Sequence, residues 1–497
     1  MKVRFFLAGM LSIGLSWMVS AQDATTLKYG NTITEDDLRR HLTIIAGEEF
    51  EGRNTGEKGQ KLAAAYIRDF FSDLGIEGPV NGSYYQEFDL ARVNYPKVDL
   101  KIGRTNMAYN KDFIFIGDVE KTSSEKADIV FLGEATEANL SQVDVKGRIA
   151  AVYAIGGRAQ NVVRSVMDAG AKGVLIVTME GQENFDRLAS RYASMSQRGR
   201  MGFEKKGVNE PIFLTSTGQM ASLFGLDEAG LKAAATNPAG IKPLKASFKV
   251  TKNVEYFPTE NVLGFIEGAE KPEEVLIISA HYDHTGFNAD GSINYGADDN
   301  GSGTVAVMEM AEAFALAAKD GIKPRRSVLF ALWTAEEIGL LGSQYYAENP
   351  IFPLENTVNN LNIDMIGRID TNYEKEEDQN YLYVIGSEVL STHLKMIIDY
   401  NNITYTGLNL DYRYDAPDDP NRFYFRSDHY NLAKYNIPSV FFFNGVHPDY
   451  HTPADTVDKI EFPLMTTRAQ MIFYTAWDLA NRAERNPVNR VNTRGER

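Results

Sequence analysis

Residues 328–343 read VLFALWTAEEIGLLGS. An apolar run from Val328 to Trp333 stops at two adjacent carboxylates, Glu336 and Glu337. A run this short and this continuously apolar is the pattern of a strand covered on both faces, which places it in a sheet with helices on each side. Three other stretches share it: EVLIISAH (274–281), VNNLNIDMIG (358–367) and IPSVFFFNG (437–445). Helical pattern separates or follows them in GTVAVMEMAEAFALAAK (303–319) and PLMTTRAQMIFYTAWDLANRAE (463–484). The expected architecture is α/β, three layers with a mixed sheet in the middle.

Each of these strands delivers chemistry at its end. His281 closes the first, Glu336 and Glu337 follow the second, Asp364 follows the third, and His451 comes a short loop after the fourth. In open α/β sheets ligands bind outside the carboxyl ends of the strands. A fifth acidic cluster, GADDNGSG (296–303), opens a helix from a Gly-rich loop. Two His with several Asp and Glu make a mixed N/O ligand set, suited to Zn²⁺, with Co²⁺ or Mn²⁺ possible, and less suited to Ca²⁺ or Mg²⁺. There are too many carboxylates for one closed structural zinc and enough for two metals sharing a bridging acid, roughly 3.5–4 Å apart. Such a site lowers the pKa of bound water and needs one more carboxylate, not a ligand, to take the water proton. The Glu336–Glu337 pair can divide those roles. Taken singly, each motif has an ordinary reading: EE as a solvated pair, HYDH as a loop or core histidine, DDNGSG as a turn, YHTPAD as a helix cap, SDH as a helix start. Their order and their placement at strand ends carry the signal.

These motifs, SAHYDH (279–284), GADDNGSG, WTAEEIGLLGS (333–343), NIDMIG (362–367), SDH (427–429) and DYHTPADT (449–456), resemble those of the M28 zinc metallopeptidases, the di-zinc aminopeptidase group. EGRNTGEKGQKLAAAYI (51–67) resembles the family's leading helix, and VDVKGRIAAVYA followed by AGAKGVLIVT resembles a protease-associated (PA) insert. The resemblance implies two Zn²⁺ per chain. It gives His281 and Asp364 to one zinc, Glu337 and His451 to the other, and Asp298 to both as the bridge. Glu336 is then the general base, and Asp283 hydrogen-bonds the far nitrogen of His281. The family's strained peptide falls at Asp298–Asp299. The implied activity is removal of N-terminal residues from peptides with a free N-terminus. The same scaffold also carries carboxypeptidases or endopeptidases, glutaminyl cyclases with a single zinc, and binding proteins that have lost the metal. The loop 410–426 matches no defined pocket, and Arg422 and Arg426 within it could form a basic clamp that reverses substrate polarity.

Between the first helix and these strands the texture changes. DFIFIG, ADIVFLG, GRIAAVYA and KGVLIVT are short β-rich runs, 181–209 reads as an exposed polar loop, and no metal-type cluster occurs. The expected organisation is a peptidase domain from 22–111 and 251–485, a β-rich PA-like insert at 112–250, and a loose tail at 486–497. In KGQKLAAAYIRDFFSDLGI (58–76) the stripe Leu62, Tyr66, Phe70, Leu74 predicts a helix stopped by Gly75.

The N-terminus has the form of an export signal: Lys2 and Arg4, the apolar run 5–19, and small residues before a cut after Ala21. The chain is expected to be exported, periplasmic or secreted, without stable membrane insertion. With no Cys, disulfides and lipidation on Cys are excluded. The formal charge of −16 argues against nucleic-acid binding and against adhesion to anionic membranes.

Overall fold

The computed structural model describes residues 22–155, 159–198, 200–204 and 209–494. The expected export signal, 1–21, lies outside the described residues. The chain forms two compact units, residues up to Phe88 with Thr259 onward, and Asp89–Pro258.

The sheet of the first unit is built from β1 (Leu244–Ile266, by its residues 262–266), β2 (Lys271–His281), β3 (Arg326–Trp333), β4 (Thr357–Ile363), β5 (Tyr381–Ile385), β6 (Asn409–Asp411) and β7 (Ser439–Phe443). Their order is β6-β5-β7-β4-β2-β3-β1. β7, β4, β2 and β3 run parallel, while β1 and β5 pair antiparallel at their flanks, so the sheet is mixed. His281 faces Trp333 across the β2–β3 ladder, and Ile363 faces Phe442 across β4–β7, so neighbouring parallel strands end close to level. All four central strands therefore open toward the same edge.

Helices cover both faces. On one, α1 (Glu35–Ile45), α2 (Lys58–Leu74), α3 (Gly303–Lys319), α5 (Thr392–Tyr405) and α7 (Phe462–Asn481) bury Ile278, Phe330, Leu361 and Phe442. On the other, α4 (Leu341–Glu348) and α6 (His429–Ala433) close over Ile277, Leu329 and Trp333. Thr34 caps α1 by accepting from the Asp37 amide, and Gly75 ends α2 in the left-handed conformation at φ 74°. The buried face of α2 lies one residue beyond the expected stripe: Ala63, Ile67 and Phe71 are inside and Leu62 is exposed. Tyr66, Phe70 and Leu74 pack partly buried beside them.

The second unit is a smaller sheet. Residues 123–133, 149–153, 173–177 and 212–215 run parallel, with 244–250 and 113–115 antiparallel at its edges. Helices Ala159–Asp168 and Gln182–Arg198 lie over one face, Thr217–Leu223 and Glu228–Ala234 over the other. The segment expected as a polar loop is thus largely a helix. Phe185 and Ala189 are buried in it and Leu188 and Tyr192 pack beside them, an i, i+3, i+4, i+7 face hidden among Arg, Ser and Met. The tail is not loose as far as Arg494. The Ser391 hydroxyl donates to Asn486, the Asn489 amide to the Leu390 carbonyl, and Arg494 is ion-paired with Asp415.

Candidate metal centre

The turn between β2 and α3 brings the fifth acid to the strand ends. Asp299 (φ −98°, ψ 100°) and Asn300 (φ −118°, ψ 46°) break the helical turn, and Asp298 and Asp299 project to opposite sides. Asp455 accepts from both of their backbone amides, at 3.0–3.1 Å, and fixes the turn. Asp298 points away from the histidines at the strand ends. Its carboxylate accepts from the Gly367 amide (2.7 Å) and the Ser302 hydroxyl (2.9 Å) and faces His447 Nε2 at 3.3 Å. Asp299 stands between His281 Nε2 (3.5 Å) and His451 Nε2 (2.9 Å). The expected bridging position is therefore corrected by one residue, from Asp298 to Asp299, and the cis peptide lies at Asp299–Asn300 rather than at 298–299.

Two groups of potential ligands form around Asp299: His281, Asp299 and Asp364, and His284, Asp299, Glu337 and His451. In the first, His281 Nε2 lies 3.3 Å from Asp364, whose other oxygen accepts from the Ser427 hydroxyl (2.6 Å). In the second, His451 Nε2 lies 3.0 Å from Glu337 Oε2, and His284 Nδ1 lies 2.7 Å from Glu337 Oε1. Glu336 is in neither group; its carboxylate comes to 3.9 Å from His281 Nε2. For bonds of roughly 2.0–2.2 Å, two ligands of one tetrahedral ion stand about 3.3 Å apart. The spacings around His281 match that figure and those around His451 approach it, so the donor set fits metal ions. Among the described residues, no residue of the second unit belongs to such a group.

The Asp283 carboxylate is wholly buried and accepts from the Thr55 hydroxyl (2.8 Å) and the Glu336 amide (3.1 Å). It lies 3.6 Å from His281 Nδ1, while its own backbone carbonyl lies 3.2 Å from that nitrogen. Asp283 thus ties the β2 end to the β3 end. Sequence reading did not single out His284 or His447 as site residues, nor Arg53. His284 and His447 sit in motifs whose direction only the backbone reveals. Arg53 is fully buried and donates to the carbonyls of Ile45, Tyr282, Tyr295 and Gly296 at 2.8–2.9 Å.

Environment separates the two glutamates. Burial, with Glu337 and Asp364 alongside, pushes the Glu336 carboxyl well above its ordinary range, against the pull of His281. Burial and Asp299 act the same way on Glu337, but its contacts with His284 and His451 outweigh them and hold it low. Burial would lower His281 and His451; Asp364 and Glu336 keep the first imidazole well above the usual histidine range, and contacts to Asp299 and Glu337 carry the second to about 10. A cavity opens beside the acids, walled by Met365, Phe423, Phe441, Phe443, Val446 and Tyr450, with Arg426 also lining it. The 410–426 loop thus supplies Phe423 and Arg426.

The carboxyl edge of this mixed sheet thus carries two His/carboxylate groups that share Asp299, a donor arrangement that suits metal ions. Residues 261–476, all within the first unit, match the model of Peptidase family M28. The chain is 30% identical over 216 residues to a probable leucine aminopeptidase of Arthroderma otae, covering 42% of this chain and 55% of that one. It is 26% identical over 357 residues to the probable glutamate carboxypeptidase VP8 of Zea mays, covering 64% and 47%. The chain thus spans about half the length of these curated relatives. The fold is that of the aminopeptidase from Aneurinibacillus sp. strain AM-1, at 20% identity and a TM-score of 0.53, covering 94% of this chain and 98% of that one.

Arg53→Met leaves the carbonyls of Ile45, Tyr282 and Tyr295 without a donor, while Gly296 keeps the Gly301 amide. Each orphaned group costs roughly 1–3 kcal/mol, so the variant is expected to unfold several degrees below the wild type. Differential scanning calorimetry of the two metal-free proteins reads this, and equal midpoints would contradict the role given to Arg53.

Proposed function

We propose that the chain is an exported di-zinc aminopeptidase. The observation that carries this reading is the position of Asp299, within reach of two separate histidine-containing groups. His281 and Asp364 would hold one Zn²⁺, Glu337 and His451 the other, and Asp299 both. The metals, when bound, supply Lewis acidity toward the scissile carbonyl and toward water. Glu336 does the proton work. Its raised pKa and its place outside both ligand groups suit a base that takes a proton from water and returns it to the departing amine. Asp283 holds the Glu336 backbone and the β2 end in register. The cavity beside Glu336 lies where the first side chain would sit, and its apolar walls favour an apolar residue. The four site acids offer attraction to a substrate ammonium, consistent with a free N-terminus. Residues 112–250, within the second unit, are read as a PA-like insert and 1–21 as the export signal.

Glu336→Gln keeps the shape and cannot accept a proton. It should bind two zinc ions and lose roughly 10²–10⁴-fold in kcat; loss of a metal in this variant would exchange the roles of the two glutamates. Leucyl, methionyl and phenylalanyl peptides should lose residues singly from the N-terminus, while their N-acetylated forms stay intact. Release from the C-terminus instead would favour the carboxypeptidase reading, with Arg426 as carboxylate clamp.

Ligand histidines must be deprotonated to bind metal. His451, raised to about 10 without metal, is protonated at pH 7. Zinc uptake at pH 7 should therefore release at least one proton per chain, and affinity should rise with pH toward 9. Calorimetric titration in buffers of different ionisation enthalpy measures that release; none would contradict the assignment of His451.

A further inference from the structure

Glu337 has its two oxygens engaged on opposite sides. Oε2 faces His451 Nε2 at 3.0 Å, where Asp299 Oδ2 also converges, at 2.9 Å from the same nitrogen. Oε1 faces His284 Nδ1 at 2.7 Å. That last distance is a hydrogen bond and falls short of the spacing between two ligands of one ion. His284 Nδ1 is also 3.8 Å from Asp299, too far to close a tight ligand set with it. His284 is fully buried, whereas the His451 side chain is about one-third exposed at 36%. The fold makes room for this buried ring. A Cβ on Gly296, which has φ +59°, would come within 2.5 Å of the imidazole, and the His284 amide donates to the Arg53 carbonyl at 3.2 Å.

We infer that His284 is a positioning residue, not a ligand: its Nδ1–H donates to Glu337 Oε1 and restricts Glu337 to one metal bond through Oε2. The inference rests on the two-zinc reading. A carboxylate left able to rotate would offer either oxygen or both, and the metal shared by His451 would lose its preformed acceptor. Hydrogen bonds that orient a ligating group are typically worth 10–100-fold in metal affinity. A role as a fourth ligand predicts instead that Asn is as damaging as Leu.

The test is zinc titration of the metal-free full-length chain, wild type against His284→Asn, His284→Gln and His284→Leu, with competing chelator to resolve the two affinities. The Asn amide nitrogen stands where Nδ1 stands, whereas the Gln amide reaches toward the Nε2 position. His284→Asn should stay within about threefold of wild type at both sites. His284→Leu and His284→Gln should lose roughly 10–100-fold at one site only. Thermal midpoints of the metal-free variants separate this from a general loss of folding, since packing damage would weaken both sites and lower the midpoint together. Asn as damaging as Leu would overturn the inference in favour of direct ligation, and a harmless Leu would overturn it outright. Wild type binding fewer than two zinc ions would defeat the di-zinc reading as well, an outcome visible before any variant is compared.

Discussion

Four carboxylates, Asp299, Glu336, Glu337 and Asp364, crowd the ends of β2, β3 and β4 where little water reaches. Ionised and unpaired, each would cost several kcal/mol in such a place. The groups facing them within ion-pair distance, among the described residues, are imidazoles. The charge is therefore tolerable only with protons on histidines or with metal cations in their place. Everything around the site serves to keep these anions from moving apart. Four parallel strands end together, Asp455 ties two backbone amides of the turn, and Asp283 links two strand ends through Thr55 and Glu336.

The same crowding explains how adjacent residues acquire different chemistry. Glu336 and Glu337 share a backbone and a strand end, yet the second has two histidines on its oxygens and the first has none within hydrogen-bond distance. Environment pushes their proton affinities in opposite directions, the usual arrangement where one carboxylate handles protons and another stays ionised.

Much of this was legible beforehand. Continuous apolar strands ending in His, Glu and Asp announced the layers and the edge on which the site lies, because burial on both faces leaves no alternation and places chemistry at strand termini. The choice between Asp298 and Asp299 was not legible. Neighbouring residues of an extended turn face opposite ways, and only the hydrogen bonds of Asp298 to Gly367 and Ser302 reveal which way each points. Residues 182–198 misled because their apolar face is narrow and their composition polar. Arg53 was invisible for a different reason: a lone arginine in a Gly-rich loop looks solvated until its carbonyl partners, distant in sequence, are brought together.

That distance has a bearing on synthesis. Arg53 precedes Tyr282, one of its acceptors, by 229 residues, and Gly296 by 243. At about 5–20 residues per second, roughly eleven to forty-nine seconds separate them on the ribosome. The clamp cannot close before residue 296 has been made, and the segment matched by the family model contains its three later acceptors but not Arg53. The donor set waits longer still, because His451 is made 155 residues after Gly296, so the frame of the site can form before its last donor exists.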